Sequence, residues 1–291
     1  MHQSVLLNEV INFLGPQDGG VYVDGNLGMG GHTEKILELS SPGGRVIAFE
    51  WDSSAMELAK QRLEKFEKRI TYVPDNFITM PQQLARQEVS AVDGVLLDLG
   101  LSSYQLDKST KGFSFQGSQP LDMRMDENCE CTGAQLINRA SAEELADIIY
   151  YFGEERQARR ITQFIVERRK EIKIERTDQL VEIVENAIPR KYWPKKIHVA
   201  TKVFQALRIA VNAELDNLDS VLKSAPKMLK NEAKFCVISF HSLEDRMVKR
   251  AFQADTTLRV LTKKPVIASE KELAENQRAR SAKLRVACKV G

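Results

Sequence analysis

The sequence predicts an α/β fold, a Rossmann-like parallel sheet interrupted by an inserted, mostly helical domain. Three observations point there. Short apolar runs alternate with amphipathic runs through the first hundred or so residues, a glycine-rich turn joins the first such pair, and the alternation stops after Asp98. Short apolar strands separated by amphipathic helices are the pattern of a parallel sheet covered on both faces.

In chain order, Val21–Asp24 is the first expected strand, followed by the glycine turn and a helix over 32–39. Residues 45–50 form the second strand and end in an acid, Glu50. Ser53 or Ser54 is expected to cap the next helix, which carries Met56, Leu58, Ala59, Leu63 and Phe66. A strand over 70–73 and a helix over 82–86 precede residues 92–98, the most strand-like run in the chain. A doubly wound sheet would supply its next helix and strand within about thirty residues. Instead a Gly/Ser/Gln-rich stretch over 110–120 leads into helical patterns at 142–151, 157–170 and 179–187. The sheet resumes after a helix over 211–229, with a strand at 233–240, a helix at 243–252 and strands near 258–261 and 283–290. No helical pattern separates the last two, so an antiparallel hairpin is expected to close the sheet. The expected division is a discontinuous sheet domain, 1–106 with 206–291, and an inserted substrate-recognition domain, 107–205.

The 291 residues are 43% hydrophobic and 28% charged, with a formal net charge of +2, ordinary for a globular enzyme. That total conceals two basic segments. Residues 156–202 hold thirteen Lys/Arg against six Asp/Glu, and residues 259–289 hold nine against three. Such segments either track a phosphate backbone or form solvated helix faces and tails. The four cysteines make no Cys-x-x-Cys pair and no zinc-spaced cluster, so no metal site is expected. No run approaches the ~20 apolar residues that span a bilayer, and Met1-His2-Gln3-Ser4 lacks the marks of a signal peptide. A cytoplasmic, soluble protein with no membrane partner is expected; oligomeric state is left open.

Four motifs carry chemistry. Asp24-Gly25-Asn26-Leu27-Gly28-Met29-Gly30-Gly31-His32 lies between a strand and a helix, where doubly wound folds bind ligands. Glycines there admit close approach of a ligand to the backbone, and Glu50 can accept hydrogen bonds from ribose hydroxyls. NAD and S-adenosylmethionine both suit this arrangement. A dinucleotide fingerprint begun at Gly28 needs glycine where Thr33 stands, and one begun at Gly25 fails at Leu27. S-adenosylmethionine carries no phosphate for a helix N-terminus to hold, and the acid ahead of the glycines suits it. A tight turn without a ligand is the bland alternative, which Glu50 opposes.

The second motif, Asp98-Leu99-Gly100-Leu101-Ser102-Ser103-Tyr104-Gln105, ends the strongest strand. A carboxylate, two hydroxyls and an aromatic on one loop would suit methylation of an aromatic amine, whose lone pair is delocalised into its ring. Acceptors set against its N–H groups, with an aromatic stacked on the ring, favour attack on an electrophilic methyl group. Asp98 and Tyr104 supply such parts, or else merely cap a turn and cover the core. In the third, Ser239-Phe240-His241-Ser242-Leu243-Glu244-Asp245-Arg246, Ser242 or His241 caps a helix; His241 is also a candidate substrate contact. The fourth, residues 276–285, alternates basic and small residues, and its Arg280 and Lys283 either grip RNA phosphates or protect an edge strand.

Together these segments closely resemble the MraW/RsmH family of ribosomal RNA (cytosine-N4) methyltransferases. The resemblance runs almost end to end. It takes in His2-x-x-Val5-Leu6-Leu7-x-Glu9, Asp24 to His32, Asp98 to Asp107 and Gly112-Phe113-Ser114-Phe115. It continues through Leu121-Asp122-Met123-Arg124-Met125-Asp126, Gly153-Glu154-Glu155-Arg156, Phe204 to Ile209, Ser239 to Arg246 and Arg280 to Arg285. The resemblance implies a class I S-adenosylmethionine-dependent methyltransferase sheet carrying a helical insertion. It implies methylation of the N4 amine of a decoding-centre cytosine in 16S rRNA, within or near the small ribosomal subunit. Carried over residue by residue, the cofactor contacts are Gly30, Gly31, His32, Glu50, Phe77, Asp98 and Gln105, with Asp98 also the candidate catalytic group. Tyr104, His241, Arg280 and Lys283 remain the candidate substrate contacts. Asn26 replaces a common threonine, Lys111 an arginine and Tyr104 a proline, and Glu50 keeps a ribose acceptor on a longer arm than the usual aspartate. The rival readings are a NAD-dependent dehydrogenase and a non-catalytic ribosome-assembly factor that kept the fold.

Overall fold

The computed structural model describes residues 4–101, 110–114, 117–126 and 129–291. The chain forms two compact units, one from residues 1–103 with 216–291 and the other from 104–215. In the first, seven strands build one sheet: β1 (Val21–Asp24), β2 (Arg45–Phe49), β3 (Ile70–Val73), β4 (Val92–Asp98), β5 (Leu229–Ser239), β6 (Leu258–Val260) and β7 (Lys283–Lys289). Their spatial order is β3-β2-β1-β4-β5-β7-β6. The first five pair in parallel, while β7 runs antiparallel to both β5 and β6. Strand order reverses between β1 and β4, which opens a crevice beyond their C-terminal ends.

Alternate strand residues feed two cores. Val23, Ile47, Phe49, Val95, Leu97 and Phe235 pack on one face with Leu84, Val221 and Phe252. Tyr22, Val46, Ala48, Leu96 and Cys236 pack on the other with Leu6, Val10, Ile36 and Leu63. Burial on both faces explains why these strands read as continuous apolar runs.

Several boundaries differ from the sequence reading. The helix expected over 211–229 is two helices, Thr201–Asn212 and Glu214–Ser224, with Ala213 at φ 48° between them. Glycine usually marks such a left-handed stop, and alanine gives no warning of it. The division drawn at 205/206 falls inside Thr201–Asn212. The closing strands are no simple hairpin, because the short helix Glu270–Glu275 and a 3-10 turn, Gln277–Ser281, lie between them. Six residues are too few to show a helical repeat. The helix Ser53–Leu63 is capped by Asp52, whose Oδ1 accepts from the amides of Ser54 (2.9 Å) and Ala55 (3.2 Å), and not by Ser53 or Ser54.

The second unit holds the helices Gly133–Arg139, Ala142–Tyr151, Ala158–Glu171, Thr177–Ala187 and Thr201–Asn212. Their buried faces present Ile137, Leu145, Ile149, Ile161, Ile165, Leu180, Val184, Val203 and Leu207. After Tyr151 the chain turns at Gly153, where a Cβ would lie 2.6 Å from the carbonyl oxygens of both Ile149 and Lys202. No other residue fits there. Among the described residues no helix is long and apolar enough to cross a membrane.

One buried side chain ties this unit together. Asn212 donates to Met123 O (2.8 Å) and Arg208 O (2.9 Å) and accepts from Met125 N (2.8 Å). Asn212→Ala leaves buried main-chain groups unpaired, at a cost of about 1–3 kcal/mol for each. The expected loss of about 2–4 kcal/mol is read from urea denaturation; an unchanged midpoint would mean that water replaces the amide.

Candidate active site

The crevice is lined from the ends of three strands. Asp24 closes β1 and is buried. Its Oδ2 accepts from Thr33 Oγ1 (2.7 Å) and its Oδ1 from Asn26 N (3.2 Å), so one carboxylate pins the glycine turn to the following helix. Burial pushes its pKa up to about 6. Thr33, the residue that breaks the dinucleotide fingerprint, is thus used in holding Asp24. Gly30 sits at φ +79°, and a Cβ there would lie 2.8 Å from Leu63 Cδ1. Its conformation favours glycine, and a larger residue would also have to displace the Leu63 side chain.

Glu50 follows β2 and reaches back across the turn. Its Oε2 accepts from Gly28 N and its Oε1 from Asp52 N, each at 2.9 Å. The arm longer than aspartate is what brings the carboxylate to Gly28. Burial pushes Glu50 up to about 7 despite these two bonds, and the nearby Asp52 and Asp24 carboxylates add to the effect.

Asp98 closes β4. Its Oδ2 lies 3.6 Å from Nδ1 of buried His32, whose Nε2 lies 3.0 Å from Val5 O. Asp98 Oδ1 is buried without a hydrogen-bond partner among the described residues, as is Asn26 Oδ1. Burial raises the Asp98 carboxyl well above the usual carboxylate range, and the charges of Asp24 and Glu244 act in the same direction. Phe77 stands in a 3-10 turn, Phe77–Thr79, capped by Asn76. It is buried beside the glycine turn, since a Cβ on Gly25 would lie 3.3 Å from Phe77 Cβ.

The sequence-predicted residues Gly30, Gly31, His32, Glu50, Phe77 and Asp98 therefore gather about one crevice. Tyr104 and Gln105 lie outside the described residues. His241 caps the helix Ser242–Ala254: its Nδ1 accepts from Glu244 N (3.4 Å) while Glu244 Oε2 accepts from Phe240 N (2.8 Å). Lys283 donates to Asp245 Oδ2 (3.3 Å), and buried Arg285 donates to Asp245 Oδ1 (2.6 Å). These cations hold the Asp245 carboxyl below its usual range. Arg280 is exposed in the turn Gln277–Ser281. Sequence reasoning missed the carbonyl of Val5 and the cap at Asp52. A main-chain contact leaves no signature in residue type, whereas Asp-Ser-Ser could have been read as a cap.

Such a lining suits a particular kind of ligand. Asp24, Glu50 and Asp98 are acceptors, and two buried oxygens await donors. A pyrophosphate would meet carboxylates here, and the Gly28 amide that it would need is already bound to Glu50. A ligand rich in donors and positive charge satisfies the site. S-adenosylmethionine, with an ammonium, ribose hydroxyls and a sulfonium, fits that description.

A model of the MraW methylase family matches residues 1–290. The chain belongs to this family. A ribosomal RNA small subunit methyltransferase H from Desulfotalea psychrophila is 54% identical over 290 residues, covering 100% of this chain and 98% of that protein. The protein of the same name from Geobacter sulfurreducens is 49% identical over 307 residues, covering 99% of each. A solved structure assigned as an rRNA methylase, from Clostridium thermocellum, aligns over 100% of both chains with a TM-score of 0.50 at 12% identity, a likeness of fold alone.

In this MraW-family chain Asp24 and Glu50 bind protons more tightly folded than unfolded, with pKa values raised from 3.8 and 4.5 to about 6 and about 7. The unfolded chain ionises first as pH rises, so these groups lower stability between about pH 4 and pH 7. Melting of the ligand-free protein is expected to show the wild type losing ground to Glu50→Gln between pH 5 and pH 8. A constant gap between the two would remove Glu50 from this balance.

Proposed function

We propose that this chain methylates the N4 exocyclic amine of a decoding-centre cytosine in 16S rRNA, within or near the small subunit, in the cytoplasm. Family membership makes it a methyltransferase of small-subunit ribosomal RNA, with S-adenosylmethionine as the methyl donor. The observation that carries the reading is the set of buried acceptors at the ends of β1, β2 and β4, on a chain matched by the family along its whole length. In this reading Gly30, Gly31, His32, Glu50, Phe77, Asp98 and Gln105 hold the cofactor. Glu50 accepts from ribose hydroxyls with the lone pairs that Gly28 and Asp52 leave free. The cofactor supplies an electrophilic methyl group. Asp98 presents an acceptor to the amine, which draws its nitrogen lone pair out of conjugation. Tyr104, His241 and Arg280 are the proposed substrate contacts; Lys283 shares its charge with Asp245.

Mapping methylated cytosines in 16S rRNA from cells with and without the protein tests the reading directly. A site lost with the protein and restored by adding it back is the expected result; an unchanged map rejects it. For the cofactor, Glu50→Ala removes hydrogen bonds worth about 1–3 kcal/mol, about five- to a hundred-fold in affinity. An unchanged dissociation constant by calorimetry would take Glu50 out of the site.

The inserted unit is the proposed grip on RNA. Many of its cations are occupied internally: Arg160 donates to Ala187 O (2.6 Å), and Arg169 donates to Ile137 O (2.6 Å) and Ala140 O (2.8 Å). Arg190, Lys191, Lys195 and Lys196 are different. All four are exposed and stand around a 3-10 turn, Arg190–Tyr192. Trp193 anchors the turn by donating from Nε1 to Ile188 O (2.8 Å), and Arg190 lies 5.8 Å from its ring centroid. Tyr192 is 55% exposed, with Lys191 Nζ 4.9 Å from its ring centroid, and offers an aromatic surface for base stacking. Charge reversal at the four cations is expected to weaken RNA binding and flatten its salt dependence, with S-adenosylmethionine affinity unchanged. Wild-type affinity and salt slope would shift the role to Arg278 and Arg280.

A further inference from the structure

We propose that Asp98 and His32 share one proton, and that this pair accepts the proton the substrate amine loses on methylation. The identity of the amine rests on the reading above; the pairing is read from this chain alone. His32 Nε2 lies 3.0 Å from Val5 O. A carbonyl oxygen only accepts, so Nε2 carries a hydrogen. Nδ1 is then the basic nitrogen of the neutral ring, and it faces Asp98 Oδ2 at 3.6 Å. With both groups deprotonated, the Nδ1 lone pair would face a carboxylate whose Oδ2 is only 3.6 Å away. One proton between them removes that repulsion, as a carboxylic acid beside a neutral ring or a carboxylate beside an imidazolium.

The surroundings push the same way from every side. Asp24 at the end of β1 and Glu244 on the helix Ser242–Ala254 both bear on Asp98 as like charges, and Asp24 bears likewise on Glu50. Among the described residues no Lys or Arg comes within ion-pair distance of Asp98. The pair therefore holds a proton strongly at rest. Positive charge brought into the crevice favours loss of that proton to solvent, which reaches the partly exposed Asp98 side chain. The pair is then unprotonated when the amine's proton arrives, and loss of the positive charge on methyl transfer favours reprotonation.

The proton balance closes. Once methylated, the amine nitrogen carries one proton in excess. That proton leaves, the electrons of its N–H bond stay on nitrogen, and it lands on the Asp98 carboxylate. Oδ1 is the open oxygen, since Oδ2 faces the imidazole. Asp98 is then the catalytic residue. His32 is a positioning residue that offers the proton a second seat and holds the affinity of the pair near working pH.

The pairing is tested in the full-length, ligand-free protein by labelling its four histidines with 15N, His32→Gln identifying the signal. The neutral ring is expected to carry its hydrogen on Nε2, and its titration midpoint to move by at least one pH unit in Asp98→Asn. Equal midpoints, or a neutral ring with a bare Nε2, would overturn the proposal. A second arm follows 16S rRNA methylation at saturating cofactor. His32→Gln, whose amide can still donate to Val5 O, is expected to lower kcat at least tenfold and displace the acid limb of the pH profile, with KM for RNA unchanged. An undisplaced limb overturns the catalytic role. If His32→Gln does not fold, assignment by exclusion against His2→Gln, His198→Gln and His241→Gln leaves the Asp98→Asn comparison decisive. A wild type that methylates no cytosine would instead sink the functional reading, and the titration would still decide the pairing.

Discussion

Everything about the crevice follows from burying three carboxylates where three parallel strands end. The charge of Asp24 reaches both Glu50 and Asp98. Among the described residues no lysine or arginine neutralises any of the three. Hydroxyl, main-chain amide and imidazole hold them instead. A buried charge without a counter-ion is costly, and a protein keeps one only where surrounding structure enforces it. The enforcing structure is the glycine turn. Its backbone is drawn onto Glu50 at Gly28 and onto Asp24 at Asn26, so the glycine turn and these acids are a single hydrogen-bonded object. A cationic, donor-rich ligand is what such a lining would suit.

The helical unit shows the opposite economy of charge. Its arginines outnumber its acids along 156–202, yet Arg160, Arg169 and Lys202 spend their donors on carbonyl oxygens at helix ends and turns. There they take the place of capping residues. A count of cations therefore overstates the surface offered to RNA. The segment around Trp193 is set apart because its cations are exposed and lie against Tyr192 and Trp193 rather than against helix-end carbonyls.

Much of this was legible in the sequence. Strands β1 to β4 and the glycine turn were readable because sheets buried on both faces select continuous apolar runs, and because few residues other than glycine tolerate the turn. Glu50 and Asp98 were readable as acids that end strands. Less legible was whatever depends on the main chain: the Val5 carbonyl that fixes the tautomer of His32, and the stop at Ala213. The role of Thr33 lay between. Its identity argued against a dinucleotide fingerprint, but only its 2.7 Å bond to Asp24 gives the reason. His241, singled out as a substrate contact, is also half of a capping box, a role that its spacing to Glu244 already encoded.

The sheet order carries a consequence for synthesis. β4 pairs with β5 across the whole of residues 104–215. As the chain leaves the ribosome, β3, β2, β1 and β4 emerge first, and β4 must wait with one row of amides and carbonyls unpaired. Such an edge invites other strands. Meanwhile the helical unit, rich in local contacts, can condense and bring the two ends of the interruption nearer, which lessens the entropy lost in closing so long a loop. The insertion that separates β4 from β5 in sequence thus need not hold them apart in folding, because its own condensation shortens the loop that must close.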